Sequence, residues 1–359
     1  MKAWKIDAHG GSEALKQVTL SDPVPGPMEA RIRVQAVGLN HLDVWVRKGV
    51  PGHKFPLPLI PGCDAVGVIE SFGPGTEAAL GSAGLQIGSS VIVSPGVSCG
   101  RCEACLSGND PICPQYGIFG ETQNGGCAEY LVVPAVNLIP RPPSLSVEQA
   151  AALPIPFLTA WTMLERKARL QPGETVLIHA GGSGVGVAAI QIAKLLGAHV
   201  ITTVGSSEKA SAASALGADH VIEYRKEPFR DGLKRIAAEI ASRTGAPVKR
   251  GVAVVLDHIG ADTFADSLKS LALGGRLVTC GATSGGEVHI DLKTIFFKNL
   301  SILGTTMGSK GDLVRIVELA AQGRLHPIVA RTFDFSELPV ALELLESRSV
   351  FGKVVLRVP

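Results

Sequence analysis

The sequence predicts an α/β fold of two domains, one mainly antiparallel β, the other a doubly wound parallel sheet. Three observations predict it. At 359 residues the chain exceeds what one compact core fills. Residues 1–150 carry short β-branched runs, at 29–37, 65–71, 90–93 and 129–133, separated by turn signals such as PVPGP, FGPG and QNGG. From Thr175 to Cys280, apolar strand runs alternate with helical runs, the mark of a parallel sheet covered on both faces.

Composition narrows the function classes. Hydrophobic residues make up 46% and charged residues 18%, as in a globular chain. A net charge of +2, with both signs spread along the chain, gives no case for nucleic acid or a membrane surface. No apolar run reaches membrane-spanning length, and Met1 to Gly10 lacks a signal-peptide core, so the cytoplasm is the expected location.

Taken in order, the first β domain reads as a partly open barrel. Within it stands C-x2-C-x2-C-x7-C: Cys99, Cys102, Cys105 and Cys113. Four thiolates in a loop rich in Gly, Pro and Asn can close a tetrahedron on Zn²⁺; with all four places taken by protein, that zinc is structural. Helical periodicity follows at 146–152 and 158–167. Residues 174–210 then read strand, turn, helix, strand. Gly181 permits a sharp exit from the strand Val176 to His179. Gly184 leaves backbone amides free to meet a pyrophosphate, and Gly186 lets the helix lie close to the sheet. Ser183 and Val185 complete this dinucleotide-binding turn, a G-x-S-G-x-G form. The next strand ends near Gly205, where an NAD site places a carboxylate. Here the strand end itself carries no carboxylate and Ser206, Ser207 and Lys209 follow, which favours NADP(H) over NAD(H). The terminal run at 350–358 is again β in character, so the chain is expected to return to its first domain.

The motifs GLNHLD (38–43), PGCDAVG (61–67), the four-cysteine lobe, LTAW (158–161), AGGSGVG (180–186), LGAD (216–219) and FGKVVL (351–356) stand in one order along the whole chain. In this the sequence resembles the medium-chain dehydrogenase/reductase superfamily of zinc alcohol dehydrogenases and NADPH quinone reductases. The resemblance implies a GroES-like substrate domain at 1–150 and 301–359, with its zinc lobe at 96–115. It implies a Rossmann cofactor domain at 151–300, an active site in the cleft between the two, and a homodimer or homotetramer joined near 297–305. Departures from the zinc enzymes are specific. Asn40, Cys63 and Ile155 or Pro156 stand where catalytic-zinc ligands are expected, and Leu42 replaces a relay hydroxyl. Asn40 with Asp43 matches the zinc-free quinone reductase branch, where these residues line the nicotinamide pocket. An amide and a carboxylate three apart can fix a carbonyl or a water beside the transferred hydride.

His41 reads as a general acid, a pyrophosphate contact or, equally, a surface histidine, and Cys63 as an atypical zinc ligand or a small buried hydrophobe. The resemblance implies that Thr159 meets the nicotinamide carboxamide (otherwise a packed helix residue), that Tyr224 stands beside the adenine ribose phosphate or is, equally, a surface strand-end tyrosine, and that Gly281 ends a strand at the cofactor edge or is a turn glycine. Lys353 reads equally as a cleft residue or a solvated charge. The leading expectation is an NADP-dependent oxidoreductase acting on a quinone or an α,β-unsaturated carbonyl, a small molecule, with structural zinc only. The alternatives are a zinc alcohol dehydrogenase using Cys63 and an NADPH-binding protein without turnover.

Overall fold

The computed structural model describes residues 1–81, 83–244 and 250–359, and the chain divides into two units: residues 1–158 with 308–359, and residues 159–307. The divisions follow Leu158 and Met307 rather than residues 150 and 300. The stretch after 150 is held by the first unit, where Asp64 Oδ1 accepts the Ile155 N–H at 3.0 Å.

In the first unit the strands are β1 (Lys2–Ile6), β2 (Leu15–Thr19), β3 (Glu29–Leu39), β4 (Asp64–Phe72), β5 (Ser90–Val93), β6 (Gly96–Val97), β7 (Gly117–Ile118), β8 (Tyr130–Pro134) and β9 (Leu138–Pro140). Its helices begin with α1 (His41–Lys48), α2 (Thr76–Gly81), α3 (Glu103–Leu106) and α4 (Val147–Ala151); α5 (Pro154–Trp161) passes from the first unit into the second after Leu158 and runs into a π-helical turn at Thr162–Lys167. Strand β3, at 11 residues, organises this unit. One edge pairs with β4 along its length; the other is shared between β8 at residues 29–33 and the C-terminal strand at residues 36–39. Alternation along β3 turns Ala30, Ile32 and Val34 into a core with Trp4, Leu59, Val91 and Leu356.

The second unit follows the parallel pattern. Its strands are β10 (Thr175–Ile178), β11 (His199–Val204), β12 (His220–Glu223), β13 (Val252–Leu256), β14 (Leu271–Thr279) and β15 (Ser301–Gly304). Its helices are α6 (Gly184–Leu195), α7 (Ser207–Ala215), α8 (Phe229–Thr244), α9 (Phe264–Ser270) and α10 (Leu292–Lys298). The order is β12-β11-β10-β13-β14-β15, every pairing parallel, so strand order reverses at β10. That reversal opens a crevice at the carboxyl ends of the strands, the ligand site of open α/β sheets. Interior strands buried on both faces need apolar residues throughout, which explains TVLI and VAVVL.

The chain then returns to the first unit through α11 (Lys310–Ala321), β16 (Val329–Phe333), α12 (Leu338–Glu346) and β17 (Lys353–Arg357). Among the described residues no helix is long and apolar enough to cross a membrane.

Candidate active site, cofactor turn and metal lobe

In the first unit, β3 ends at Leu39 and the extended Asn40 caps α1. A helix start leaves backbone amides without partners, and a carboxylate three residues in can satisfy them. Asp43 does so: its Oδ2 accepts the Asn40 N–H at 2.7 Å, and its Oδ1 accepts the Gly62 N–H at 2.8 Å. Gly62 sits at φ +101°, and a Cβ there would lie 2.7 Å from Cys127 Sγ, so only glycine brings this turn against α1.

Beside this cap lies a buried knot of charge. Lys353 Nζ donates to Asn40 Oδ1 and Leu39 O, both at 2.7 Å, and pairs with Asp64 Oδ2 at 3.3 Å. Asn40 Nδ2 donates to Asp64 Oδ2 at 2.9 Å and to Gly38 O at 3.1 Å. Both amide hydrogens and the amide oxygen of Asn40 are therefore engaged. Burial raises the Asp64 carboxyl above its ordinary range; the Lys353 charge is the largest opposing influence. Burial likewise pushes Asp43 up to about 6, against the two amide donors. Burial first, then Asp43 and Asp64, pushes the Cys63 thiol well up, and its Sγ lies 3.8 Å from Asp43 Oδ1.

The structure bears on the sequence reading at four residues, and for Cys63 its burial agrees with the alternative of a small buried hydrophobe. Asp43 and Cys63 are fully buried. The capping role turns the carboxylate inward, and a thiol among carboxylates keeps its proton. Asn40 has no free donor for a carbonyl while Lys353 and Asp64 hold it. His41, the first residue of α1, is held down to about 4 by burial and by Arg348 and Lys353, so near pH 7 it is neutral and offers a single ring N–H rather than an imidazolium proton. The sequence leaves Lys353 open between a cleft residue and a solvated charge; the structure buries it beside Asn40 and Asp64. Sequence reasoning missed Glu121, whose side chain is 17% exposed with Oε1 3.8 Å from His53 Nε2. Burial raises the Glu121 carboxyl, and its charge in turn raises Cys63. The one signal for Lys353 was a lysine at the head of the apolar run KVVL.

The four lobe cysteines converge. Their Sγ atoms all lie within 4.8 Å of one another, with Cys102 and Cys105 at 3.5 Å and Cys99 and Cys105 at 3.9 Å. A tetrahedron with Zn–S of about 2.3 Å sets its sulfurs about 3.8 Å apart, so the donor set fits zinc. The backbone amides of Cys99 and Gln115 point at Cys113 Sγ, at 3.5 and 3.4 Å, as donors to a thiolate. Amides of Arg101 and Cys102 bring Cys99 down to about 6. Among the described residues this is the one group of three or more His, Cys, Asp or Glu placed to share a metal ion.

In the second unit Gly181, Ser183, Gly184, Val185 and Gly186 form one turn at the start of α6. A Cβ on Gly181 would lie 2.2 Å from Thr202 Oγ1, and one on Gly186 2.3 Å from Ala180 O. Ser183 is the N-cap: its Oγ accepts the Gly186 N–H at 3.0 Å and lies 3.2 Å from His258 Nε2. The turn thus has the tight exit and helix N-terminus that a pyrophosphate needs. Thr159 is buried in α5, and the Gly281 carbonyl, just past β14, accepts from Thr279 Oγ1.

At the end of β11, Ser206 caps α7 through the Lys209 N–H at 3.4 Å. The Tyr224 hydroxyl stands where a Cβ on Gly205 would lie 2.6 Å away. The expectation that no carboxylate approaches here does not hold. Ser207 Oγ donates to Glu223 Oε2 at 2.9 Å, and Lys226 donates to both. Glu223 ends the neighbouring strand β12, a pairing the reading of β11 alone could not include.

Comparison with known proteins agrees with this architecture. Residues 26–143 match the alcohol dehydrogenase GroES-like domain, and residues 184–322 the zinc-binding dehydrogenase family. The chain is similar to an acryloyl-coenzyme A reductase of Sulfurisphaera tokodaii, at 30% identity over 99% of this chain and 100% of that one. It is similar to a quinone oxidoreductase of Rattus norvegicus, at 28% identity over 99% and 97%. The crystal structure of an NAD-dependent alcohol dehydrogenase superimposes with a TM-score of 0.90, at 46% identity and full coverage of both chains.

Proposed function

Because the chain belongs to the medium-chain dehydrogenase/reductase superfamily and is an NAD(P)-dependent oxidoreductase of that type, we propose that it reduces a quinone or an α,β-unsaturated carbonyl with NADPH, without a catalytic zinc. The observation that carries this reading is the Lys353 ammonium. It lies among Asn40 Oδ1, Leu39 O and Asp64 Oδ2, and a fixed cation there opposes a second one. Among the described residues Cys63 belongs to no group of three or more His, Cys, Asp or Glu side chains placed to share a metal ion. The names of the S. tokodaii and rat relatives, an acryloyl-coenzyme A reductase and a quinone oxidoreductase, support a conjugated acceptor.

Bound NADPH supplies the hydride. Conjugation spreads the charge it delivers, so a proton donor serves in place of a Lewis acid. Glu121 is the carboxyl near Cys63 that both reaches solvent and holds its proton more tightly than usual. Lys353, Asn40 and Asp43 fix the backbone from Gly38 to Gly62 rather than touch the acceptor. The zinc of the proposed structural site is held by Cys99, Cys102, Cys105 and Cys113.

The preference for NADPH rests on Ser206, Lys209, Tyr224 and the neighbouring Arg225, whose charge lowers the Lys209 ammonium after burial does. Glu223 opposes it. A homodimer fits the unpaired edge of β15, whose Ser301, Ile302 and Gly304 are exposed, with Phe296 and Phe297 exposed beside it.

The test is zinc per chain by elemental analysis, in the wild type and in Cys63→Ser, followed by NADPH and NADH oxidation with quinones and enones. About one zinc in both proteins, with turnover faster on NADPH, is the expected result. Two zincs falling to one in the variant would sink the reductase reading and make Cys63 a catalytic ligand.

A further inference from the structure

The second unit buries a hydrogen-bonded line that the proposed chemistry does not use. It starts at Ala180, between β10 and the glycine turn, where the backbone is left-handed at φ +50°. A residue with a Cβ is disfavoured there, so its neighbours must hold it. Thr203 of β11 does: its Oγ1 accepts the Ala180 N–H at 3.2 Å, and its carbonyl accepts the Gly181 N–H at 2.9 Å. The same hydroxyl lies 3.2 Å from His179 Nδ1. His179 Nε2 lies 2.9 Å from Ser267 Oγ, which donates to Asp257 Oδ2 at 2.7 Å.

The direction of every proton on this line can be deduced. A carboxylate only accepts, so the single Ser267 hydroxyl proton goes to Asp257. Ser267 Oγ must then accept from His179, and Nε2 carries the proton. The imidazole is 1% exposed, and burial lowers its affinity for a second proton. Nδ1 is therefore bare and accepts the Thr203 hydroxyl, which turns a lone pair to the Ala180 N–H. The line runs from β10 to β11 on one side and to α9, which follows β13, on the other. It thus crosses the floor of the crevice where strand order reverses. The Phe229 ring packs edge-on against the imidazole at 4.8 Å. An aliphatic residue would fill this space without burying two polar nitrogens, so packing alone does not account for histidine.

We infer that His179, as its Nε2–H tautomer, is a positioning residue for the cofactor turn: it orients the Thr203 hydroxyl, which holds Ala180 left-handed and sets the amides of residues 181–186 for a pyrophosphate. This rests on the reading that this turn takes the pyrophosphate. Asp257 anchors the far end, its Oδ1 also accepting the Ile259 and Gly260 N–H groups at 3.0 and 3.1 Å.

The test titrates the full-length protein with NADPH, followed by its own fluorescence, in the wild type, His179→Leu, His179→Gln, Ser267→Ala and Gly184→Glu. His179→Leu raises the NADPH Kd about tenfold, and His179→Gln, whose amide offers an acceptor and a donor, recovers most of that loss. Ser267→Ala shifts Kd the same way by less, and in the histidine variants KM for NADPH rises more than kcat falls. The ¹⁵N spectrum of the wild-type imidazole shows a protonated Nε2 and a bare Nδ1, and Ser267→Ala mixes the two tautomers. Wild-type affinity in His179→Leu, with affinity lost in Gly184→Glu, overturns the inference and leaves the turn's role intact. Wild-type affinity in Gly184→Glu overturns the pyrophosphate reading itself, and the inference with it. If the leucine variant does not fold, a wild-type spectrum with Nδ1 protonated is enough to refute the relay.

Discussion

The first unit crowds like ligand groups together twice and treats the crowding differently each time. At the lobe, four thiols lie within 4.8 Å of one another, three of them partly exposed, and the donor set fits an external dication. At the knot, Asp43 and Asp64 are buried without exposed surface, and the cation is part of the chain. The lobe needs 15 residues of sequence, Cys99 to Cys113, and a supply of metal. The knot needs Lys353 brought back across 289 positions, and nothing from outside. Local clusters can borrow their counter-charge; a buried cluster has to be given one by the fold, because desolvation leaves no time-averaged water to screen it.

The largest effect expected is at the lobe. Structural zinc sites are worth about 10–16 kcal/mol of binding that doubles as folding energy. Cys102→Ser should strip the metal and raise hydrogen exchange across residues 96–115 while leaving exchange at Asn40 and Asp43 unchanged. Retained zinc, or fraying that spreads to the knot, would break the contrast.

Next comes the knot. Lys353→Met leaves Asp64 buried without its cation, at a cost of about 3–5 kcal/mol in denaturant unfolding of the first unit. Adding Asp64→Asn should restore more than half of that. Strictly additive losses would show that the two side chains are not coupled.

Two neighbours on α1 then give opposite pH responses. Asp43 is raised from 3.8 to about 6, so its contribution is complete below pH 3.8 and is lost as pH rises through 6. His41 is lowered from 6.5 to about 4, so its contribution is complete above pH 6.5 and is lost as pH falls through 4. Each is worth about 3 kcal/mol, and in the wild type they nearly cancel. Asp43→Asn should unmask a loss of stability on acidification, and His41→Gln a loss on going from pH 4 to 6. Unfolding curves across that range with unchanged slopes in both variants would refute the assignment. Smallest is the α6 cap: Ser183→Ala removes the acceptor of the Gly186 N–H and should cost about 1 kcal/mol, read as a shift in the unfolding midpoint of the second unit.

What could be read from the sequence divides along the same line. The lobe and the glycine turn were legible because their chemistry is local: cysteine spacing, and glycines between a strand and a helix. The parallel order followed from alternation. Asn40 and Asp43 were legible as a pair, but the sequence does not show that Gly62, Asp64 and Lys353 engage their polar atoms. The choice between cleft residue and solvated charge at Lys353 was settled only by the register that sets Val354 opposite Leu39. Glu223 escaped because it belongs to the strand beside β11, and His179 because a histidine ending an apolar strand gives no hint of a serine 88 positions away.

The pairing of β17 with β3 also orders events during synthesis. Residues 159–307 are contiguous, so the second unit can close as soon as it leaves the ribosome. The first unit begins earlier and finishes later. Strand β3 waits for a partner made 314 positions later, a delay of about 15–60 s at ordinary elongation rates. Until Lys353 arrives, Asp64 has no ammonium to bury against, and that edge of the nascent sheet stays hydrated. The first half of the chain to be translated is thus the last to become native, and its open edge is the segment a nascent-chain chaperone would have to shield.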